Sequence, residues 1–216
     1  MELNKYIDHT NLKPTATIRD IEKLCDEAVK YKFASVCIQP YYVPLAHELL
    51  KDTNVNVCTV IGFPLGQNTT STKAYEAIEA INNGADEIDM VINIAALKNN
   101  DYDYVKEEIE EIRDSIDGKT LKVIIETCYL TDNEIIKMTE ICNETFVNFI
   151  KTSTGFGTRG ASINDLKVIN KRRNEILEIK ASGGIKNYQD ANKFIEEGAT
   201  RIGTSHGIEI MNYNDK

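Results

Sequence analysis

A chain of 216 residues, 42% hydrophobic and 27% charged, has the composition of one globular domain with a large buried core, which excludes a disordered tract. Its 25 Lys and Arg stand against 34 Asp and Glu, a net charge of −9 that gives little long-range pull toward nucleic acid or an anionic membrane. A phosphate ligand would have to be caught by local donors, and no run approaches the roughly 20 apolar residues of a membrane span.

The segment Met1 to Tyr6 is polar and lacks the apolar stretch of a signal peptide. Five cysteines, at positions 25, 37, 58, 128 and 142, form no Cys-x-x-Cys pair and read as reduced thiols of a cytoplasmic protein.

Two patterns then alternate along the chain. Tyr6–Asp8 reads as a first strand, and Ile18, Ile21, Leu24, Cys25 and Ala28 recur at helical spacing after it. Ser35–Ile38 and Asn56–Ile61 are short β-branched runs of the kind buried in parallel sheets. Ala74, Ala77, Ile78 and Ile81 form a second helical face, closed by Gly84, and Glu87–Val91 is the next strand. Val105, Ile109, Ile112 and Ile116 give a third face, followed by Leu121–Ile125. Thr131 and Glu134 fit a capping box that opens a helix. Phe146–Ile150, Glu178–Ala181 and, after Gly198, Arg201–Gly203 complete the strands. Gly84-Ala85-Asp86-Glu87-Ile88-Asp89 and Gly198-Ala199-Thr200-Arg201-Ile202-Gly203 echo each other as helix end, turn and strand, a repeated βα unit rather than a solenoid repeat. Eight such units with no linker predict an α/β fold: a single-domain (β/α)8 TIM barrel over residues 1–216.

The active site of such a barrel lies at the C-terminal ends of its strands. Lys151 ends the sixth run, on the face of Val147 and Phe149, and is followed by Thr152 and Gly155 in a segment of small residues that suits a confined pocket. By itself it also fits a solvated lysine at a strand end. Lys180 ends the seventh run. Two lysines atop adjacent strands should crowd each other, which would free one as an amine nucleophile, unless carboxylates neutralise both in an ion-pair network. Asp89, within a β-branched run, is costly unless paired, so it reads as a general acid/base or as a structural salt bridge. Ser182, Gly183 and Gly184 after the seventh strand, with Gly203, Thr204 and Ser205 after the eighth, are placed to form a phosphate cup. His9, His47 and His206 show no ligand spacing, and Gly155-Phe156-Gly157-Thr158-Arg159-Gly160 departs from a dinucleotide fingerprint, so neither a metal nor a dinucleotide cofactor is expected.

At these residues the chain resembles the deoxyribose-phosphate aldolase family. The matching segments run in the family's order from Ile7-Asp8-His9-Thr10-Asn11-Leu12-Lys13-Pro14 and Val60-Ile61-Gly62-Phe63-Pro64-Leu65-Gly66 through Glu87–Asn93 and Lys122–Thr127. They continue with Ile150-Lys151-Thr152-Ser153-Thr154-Gly155-Phe156, Lys180–Ile185 and Arg201–Ser205, so they span nearly the whole chain. The resemblance implies a metal-free Schiff-base aldolase that reversibly cleaves 2-deoxy-D-ribose 5-phosphate to D-glyceraldehyde 3-phosphate and acetaldehyde. It implies that Lys151 forms the imine, Lys180 keeps its amine reactive, Asp89 moves protons through a water and Asp8 lines the polar pocket. Ser182 and His206 depart from the alanine and serine more usual there. A C-terminal tyrosine assists proton transfer in some members, and Tyr213 stands three residues short of the end. The expected partner is a small phosphorylated sugar or aldehyde, with no nucleic acid and no membrane. A homo-oligomer is compatible with the sequence, which carries no interface signature. The rival readings are a transaldolase-like enzyme acting on longer sugars and a barrel that binds sugar phosphates without catalysis.

Overall fold

The computed structural model of the protein describes residues 2–213. Eight parallel strands close into a barrel in chain order. They are β1 (Ile7–Asn11), β2 (Ser35–Ile38), β3 (Asn56–Ile61), β4 (Glu87–Val91), β5 (Thr120–Ile124), β6 (Phe149–Lys151), β7 (Glu178–Ser182) and β8 (Arg201–Thr204). Between and after them run α1 (Ile18–Tyr31), α2 (Val43–Leu50), α3 (Thr70–Asn82), α4 (Ile94–Lys98), α5 (Tyr102–Ser115), α6 (Asp132–Glu144), α7 (Ile163–Asn170), α8 (Tyr188–Glu196) and α9 (Gly207–Met211). The closed α/β barrel predicted from the alternation is the observed fold.

Local signals act as the sequence suggests. Thr17, Thr131 and Ser162 each close a capping box at the start of α1, α6 and α7. Gly84 and Gly198 follow α3 and α8 at φ 103° and 101°, where a side chain would be strained. The fifth strand lies one residue earlier than expected and the seventh and eighth each run one residue further, while the first and sixth differ for a local reason. Tyr6 ends a 3₁₀ turn (Leu3–Tyr6), so the first strand starts at Ile7 and runs to Asn11. Phe146 takes a left-handed φ of 52° and closes α6, its N–H donating to Asn143 O, so the sixth strand is the shorter Phe149–Lys151. A β-prone aromatic is spent there on a helix stop. The helical faces are also narrower than expected, because Ile18 and Ile78 are exposed.

The strands divide their residues between two environments. Val36, Ile88, Val123, Ile150, Ile179 and Ile202 point outward into the main apolar core beneath the helices. The inward positions hold a small apolar group (Leu12, Cys37, Cys58 and Val60) and an unusual set of charges, Asp8, Glu87, Asp89, Lys122, Lys151, Lys180 and Arg201. No helix of the described residues is long and apolar enough to cross a membrane.

Candidate active site

The C-terminal mouth of the barrel holds an open cleft of about 280 Å³. Its floor includes Lys151, and one wall is the segment Ser182–Lys186 with Gly203–His206. Thr10–Lys13 from the end of β1 and Thr154–Phe156 from the β6–α7 loop close the rest. Of the residues singled out in the sequence, Lys151, Gly155, Ser182, Gly183, Gly184, Gly203, Thr204 and Ser205 line this cleft. Asp8, Asp89 and Lys180 lie directly beneath it, fully buried in the barrel. Thr152 does neither. One residue past Lys151, it points to the other face of the strand. Its hydroxyl accepts the Ser182 backbone N–H at 3.2 Å and the Ser153 hydroxyl at 3.1 Å, so it ties β6 to β7.

Register brings Lys151 and Lys180 side by side on β6 and β7. The crowding foreseen for them takes a specific form. Both amines reach the same atom, Asp89 Oδ2, Lys151 Nζ at 2.8 Å and Lys180 Nζ at 2.7 Å. Lys180 also lies 2.5 Å from Asp8 Oδ2; this contact is ionic, since that oxygen has no partner with hydrogen-bond geometry. Burial opposes charge on Lys180, but Asp8 and Asp89 outweigh it and drive its pKa upward. Lys180 is therefore held as an ammonium by two carboxylates, so simple repulsion between two lysines does not describe the pair. Burial likewise pushes the Asp89 carboxyl up, and Lys122, Lys151 and Lys180 together overcome it and hold it well below the usual carboxylate range. Asp8 is depressed in the same way, against its burial, by Arg201, Lys180 and Lys122.

Glycine makes room for this arrangement at Gly203. A Cβ there would sit 2.9 Å from Ser182 Cβ and 3.1 Å from Lys180 Cε. Gly183 and Gly184, at φ 84° and 80°, turn their wall of the cleft in a conformation that side chains resist. The loop after β6 is held from below. Arg159 grips Asp165 through two bonds of 2.7 and 3.0 Å. Glu126, itself at φ 51°, accepts the Thr154 N–H at 3.1 Å and the Thr154 hydroxyl. Phe156 meets Phe63 edge to face across the mouth, their ring centres 5.4 Å apart.

Three charged residues of the barrel interior were not singled out from the sequence. Lys122 Nζ lies 2.7 Å from Asp89 Oδ1 and 2.6 Å from Glu87 Oε2, and Arg201 Nη1 lies 2.7 Å from Asp8 Oδ1 and 3.0 Å from Glu87 Oε2. The signal existed. Lys122 is a charge inside a β-branched run, the same oddity that drew attention to Asp89, and Glu87 opens the run that carries Asp89. Cys58 Sγ donates to Asp89 Oδ1 at 3.2 Å, and Cys37 faces the same carboxylate rather than the outer core. Tyr213 stacks on Tyr188 of α8, ring centres 4.6 Å apart.

The aldolase pattern described as DeoC/LacD family aldolase matches residues 3–211. The chain belongs to this family. It is 55% identical to a deoxyribose-phosphate aldolase of Caldanaerobacter subterraneus subsp. tengcongensis, over 98% of this chain and 93% of that protein. A deoxyribose-phosphate aldolase of Carboxydothermus hydrogenoformans is also 55% identical, over 97% and 94% of the two chains. Among solved structures, the aldolase QR15 superposes with a TM-score of 0.93 at 45% identity, covering 96% of this chain and 93% of that one. The deoxyribose phosphate aldolase of Aeropyrum pernix, described as tetrameric, gives 0.90 at 31% identity over 97% and 89%. Within the DeoC/LacD family, then, the charged barrel and the lysine at the cleft floor sit in an aldolase scaffold.

Proposed function

We propose that this member of the aldolase family cleaves 2-deoxy-D-ribose 5-phosphate reversibly to D-glyceraldehyde 3-phosphate and acetaldehyde, through a Schiff base on Lys151. One observation carries the assignment of the nucleophile. Of the three lysines on Asp89, Lys151 alone lines the cleft. The relatives named deoxyribose-phosphate aldolase support the substrate.

The free amine of Lys151 attacks the C1 aldehyde of the open-chain sugar, and loss of water gives an iminium. The C3 hydroxyl then loses its proton while the C2–C3 bond breaks, and the bonding pair moves to the iminium nitrogen as an enamine. D-Glyceraldehyde 3-phosphate departs, C2 takes a proton, and water releases acetaldehyde from Lys151. Asp89, ionised in the resting site beside the Lys151 amine, takes up and returns these protons through a water. The iminium supplies the electron sink, so the proposal includes no cofactor. Backbone N–H groups and hydroxyls of the wall Ser182–Lys186 and Gly203–His206 hold the phosphate, joined by the Lys186 ammonium. Five free cysteines support a reducing, cytoplasmic setting, and the tetrameric relative supports self-association.

Borohydride reduction in the presence of acetaldehyde tests the reading. An ethyl group should appear on the peptide that contains Lys151, and Lys151→Ala should lose both the label and turnover while keeping its fold. A label carried only with a ketose phosphate would favour a transaldolase-like enzyme, and no label with either would favour a non-catalytic binder.

A further inference from the structure

The charges inside the barrel form a closed figure. From Asp8 the contacts run to Arg201 at 2.7 Å, on to Glu87 at 3.0 Å, to Lys122 at 2.6 Å and to Asp89 at 2.7 Å. They return through Lys180, 2.7 Å from Asp89 and 2.5 Å from Asp8. Carboxylates and cations alternate around the whole circuit, which is electrically neutral. The six members come from five strands: Asp8 from β1, Glu87 and Asp89 from β4, Lys122 from β5, Lys180 from β7 and Arg201 from β8. Lys151 stands outside the circuit, attached by its single contact to Asp89 Oδ2.

We propose that Glu87, Lys122 and Arg201 are positioning residues which complete this ion ring, and that the ring locks Lys180 as ammonium and Asp89 as carboxylate so that the proton on Lys151 is set by the ring's net charge. The inference rests on Lys151 being the imine-forming lysine. Ring members have two strong partners each, so removing a proton from Lys122 or Lys180, or adding one to Asp8 or Asp89, would break two ion pairs within a buried site. Loss of a proton from Lys151 breaks one contact and returns the barrel interior to neutrality. Within this neutral ring the two oxygens of Asp89 have separate duties. Oδ1 is fixed from below by Lys122 and Cys58, and Oδ2 faces the two upper lysines. Other titratable groups face this region. Cys37 and Cys58 look in from β2 and β3, Glu126 is spent on Thr154, and Lys13, Lys186 and His206 stand at the mouth.

Opposite changes of ring charge separate this role from a merely structural one. Glu87→Gln leaves the ring one positive charge in excess, and Lys122→Met leaves it one negative charge in excess. The readout is the pH of half-maximal borohydride trapping of Lys151 by acetaldehyde, together with the pH profile of kcat/KM. One unit charge two contacts away at Lys122, or three at Glu87, at an effective dielectric near 20, should move the midpoint by roughly one pH unit. The shift is expected downward in Glu87→Gln and upward in Lys122→Met. The double variant Glu87→Gln/Lys122→Met restores neutrality and should return the midpoint near that of the parent even if activity stays low. Arg201→Lys keeps the charge and should not move it. Shifts of the same sign, or trapping with unmoved midpoints, would overturn the ring. Absence of any label on Lys151 in the parent protein would instead overturn the assignment of the nucleophile.

Discussion

The cleanest test of how the scaffold holds its charges lies outside the barrel, at Lys73. This α3 residue is fully buried, and its Nζ donates to Val91 O at 2.8 Å and to Glu108 Oε1 at 2.7 Å. Glu108, on α5 and equally buried, accepts the Asn93 N–H at 3.0 Å through its other oxygen. The pair therefore fastens two helices to the backbone just beyond β4, the strand that carries Asp89. Lys73→Met removes the cation and leaves the Glu108 carboxylate with the Asn93 N–H alone. Breaking a buried ion pair from one side costs about 3–5 kcal/mol, a large fraction of the roughly 5–15 kcal/mol that holds a domain together. Lys73→Met/Glu108→Leu removes both charges and should recover most of that loss, to within about 1–2 kcal/mol of the parent, since an apolar pair of similar size is often as stable as the ions. The single variant also has a pH signature. Burial pushes the Glu108 carboxyl above its ordinary value even with Lys73 present, and more so without it. An acid with a raised folded-state pKa binds its proton more tightly in the native state, so the deficit of Lys73→Met should shrink as pH falls. Urea denaturation of both variants at several pH values measures all of this. A single variant within about 1 kcal/mol of the parent, or a double variant worse than the single, would refute the reasoning.

The barrel charges make the complementary forecast for the ring. Asp8 and Asp89 have depressed pKa values, so the stability they lend is complete above the unfolded carboxylate range and is lost as pH falls through their folded values. Lys122 and Lys180 have raised values, so their share is complete below the unfolded lysine range and is lost as pH rises through theirs. Compared in a Lys151→Met background, so that the Lys151 amine does not contribute, the urea-stability loss caused by Lys122→Met should therefore stay flat from about pH 5 to about pH 9.5, and a step within that window would contradict it. At the cleft mouth, Ser205→Glu puts a carboxylate where the substrate phosphate is proposed to sit. KM for 2-deoxyribose 5-phosphate should rise roughly ten-fold, with that for unphosphorylated 2-deoxyribose nearly unmoved. An equal change for both sugars would place the phosphate elsewhere.

The barrel was legible because its outward strand residues and inward helix faces repeat a pattern that tertiary packing then enforces. Boundaries were less so where one residue type serves two ends. Phe146 has strand propensity, yet the demand for a left-handed closing residue after α6 decided its conformation. At the site, Lys151 and Lys180 stood out as charges at strand ends and Asp89 as a charge within a strand, and the structure brings both amines onto one oxygen of Asp89. The remaining charges of the barrel interior were harder to see. Their meaning depends on which strands face each other across a closed barrel, and no local spacing records it: Arg201 and Glu87 are 114 positions apart in sequence. Thr152 shows the reverse failure. It looked like a ligand residue by its place beside Lys151, but strand alternation sends adjacent side chains to opposite faces.

A barrel of this kind ordinarily fills its centre with branched aliphatic side chains. Here the centre carries Asp8, Glu87, Asp89, Lys122, Lys180 and Arg201, whose mutual attraction does little more than offset their desolvation. Net stability must then come from the layer between strands and helices, where residues such as Ile88, Val123, Ile150 and Ile202 are fully buried and each contributes about 1.5–3 kcal/mol of transfer free energy. The two layers answer to different changes. Trimming an outer residue costs in proportion to the volume lost, whichever strand it lies on. Changing an inner residue is felt through charge and through the protons of its neighbours. Because each strand alternates between the layers, one residue of β4 can hold the fold while the next holds the chemistry. Ile88 packs under the helices, and Asp89 beside it gathers three lysines at the floor of the cleft.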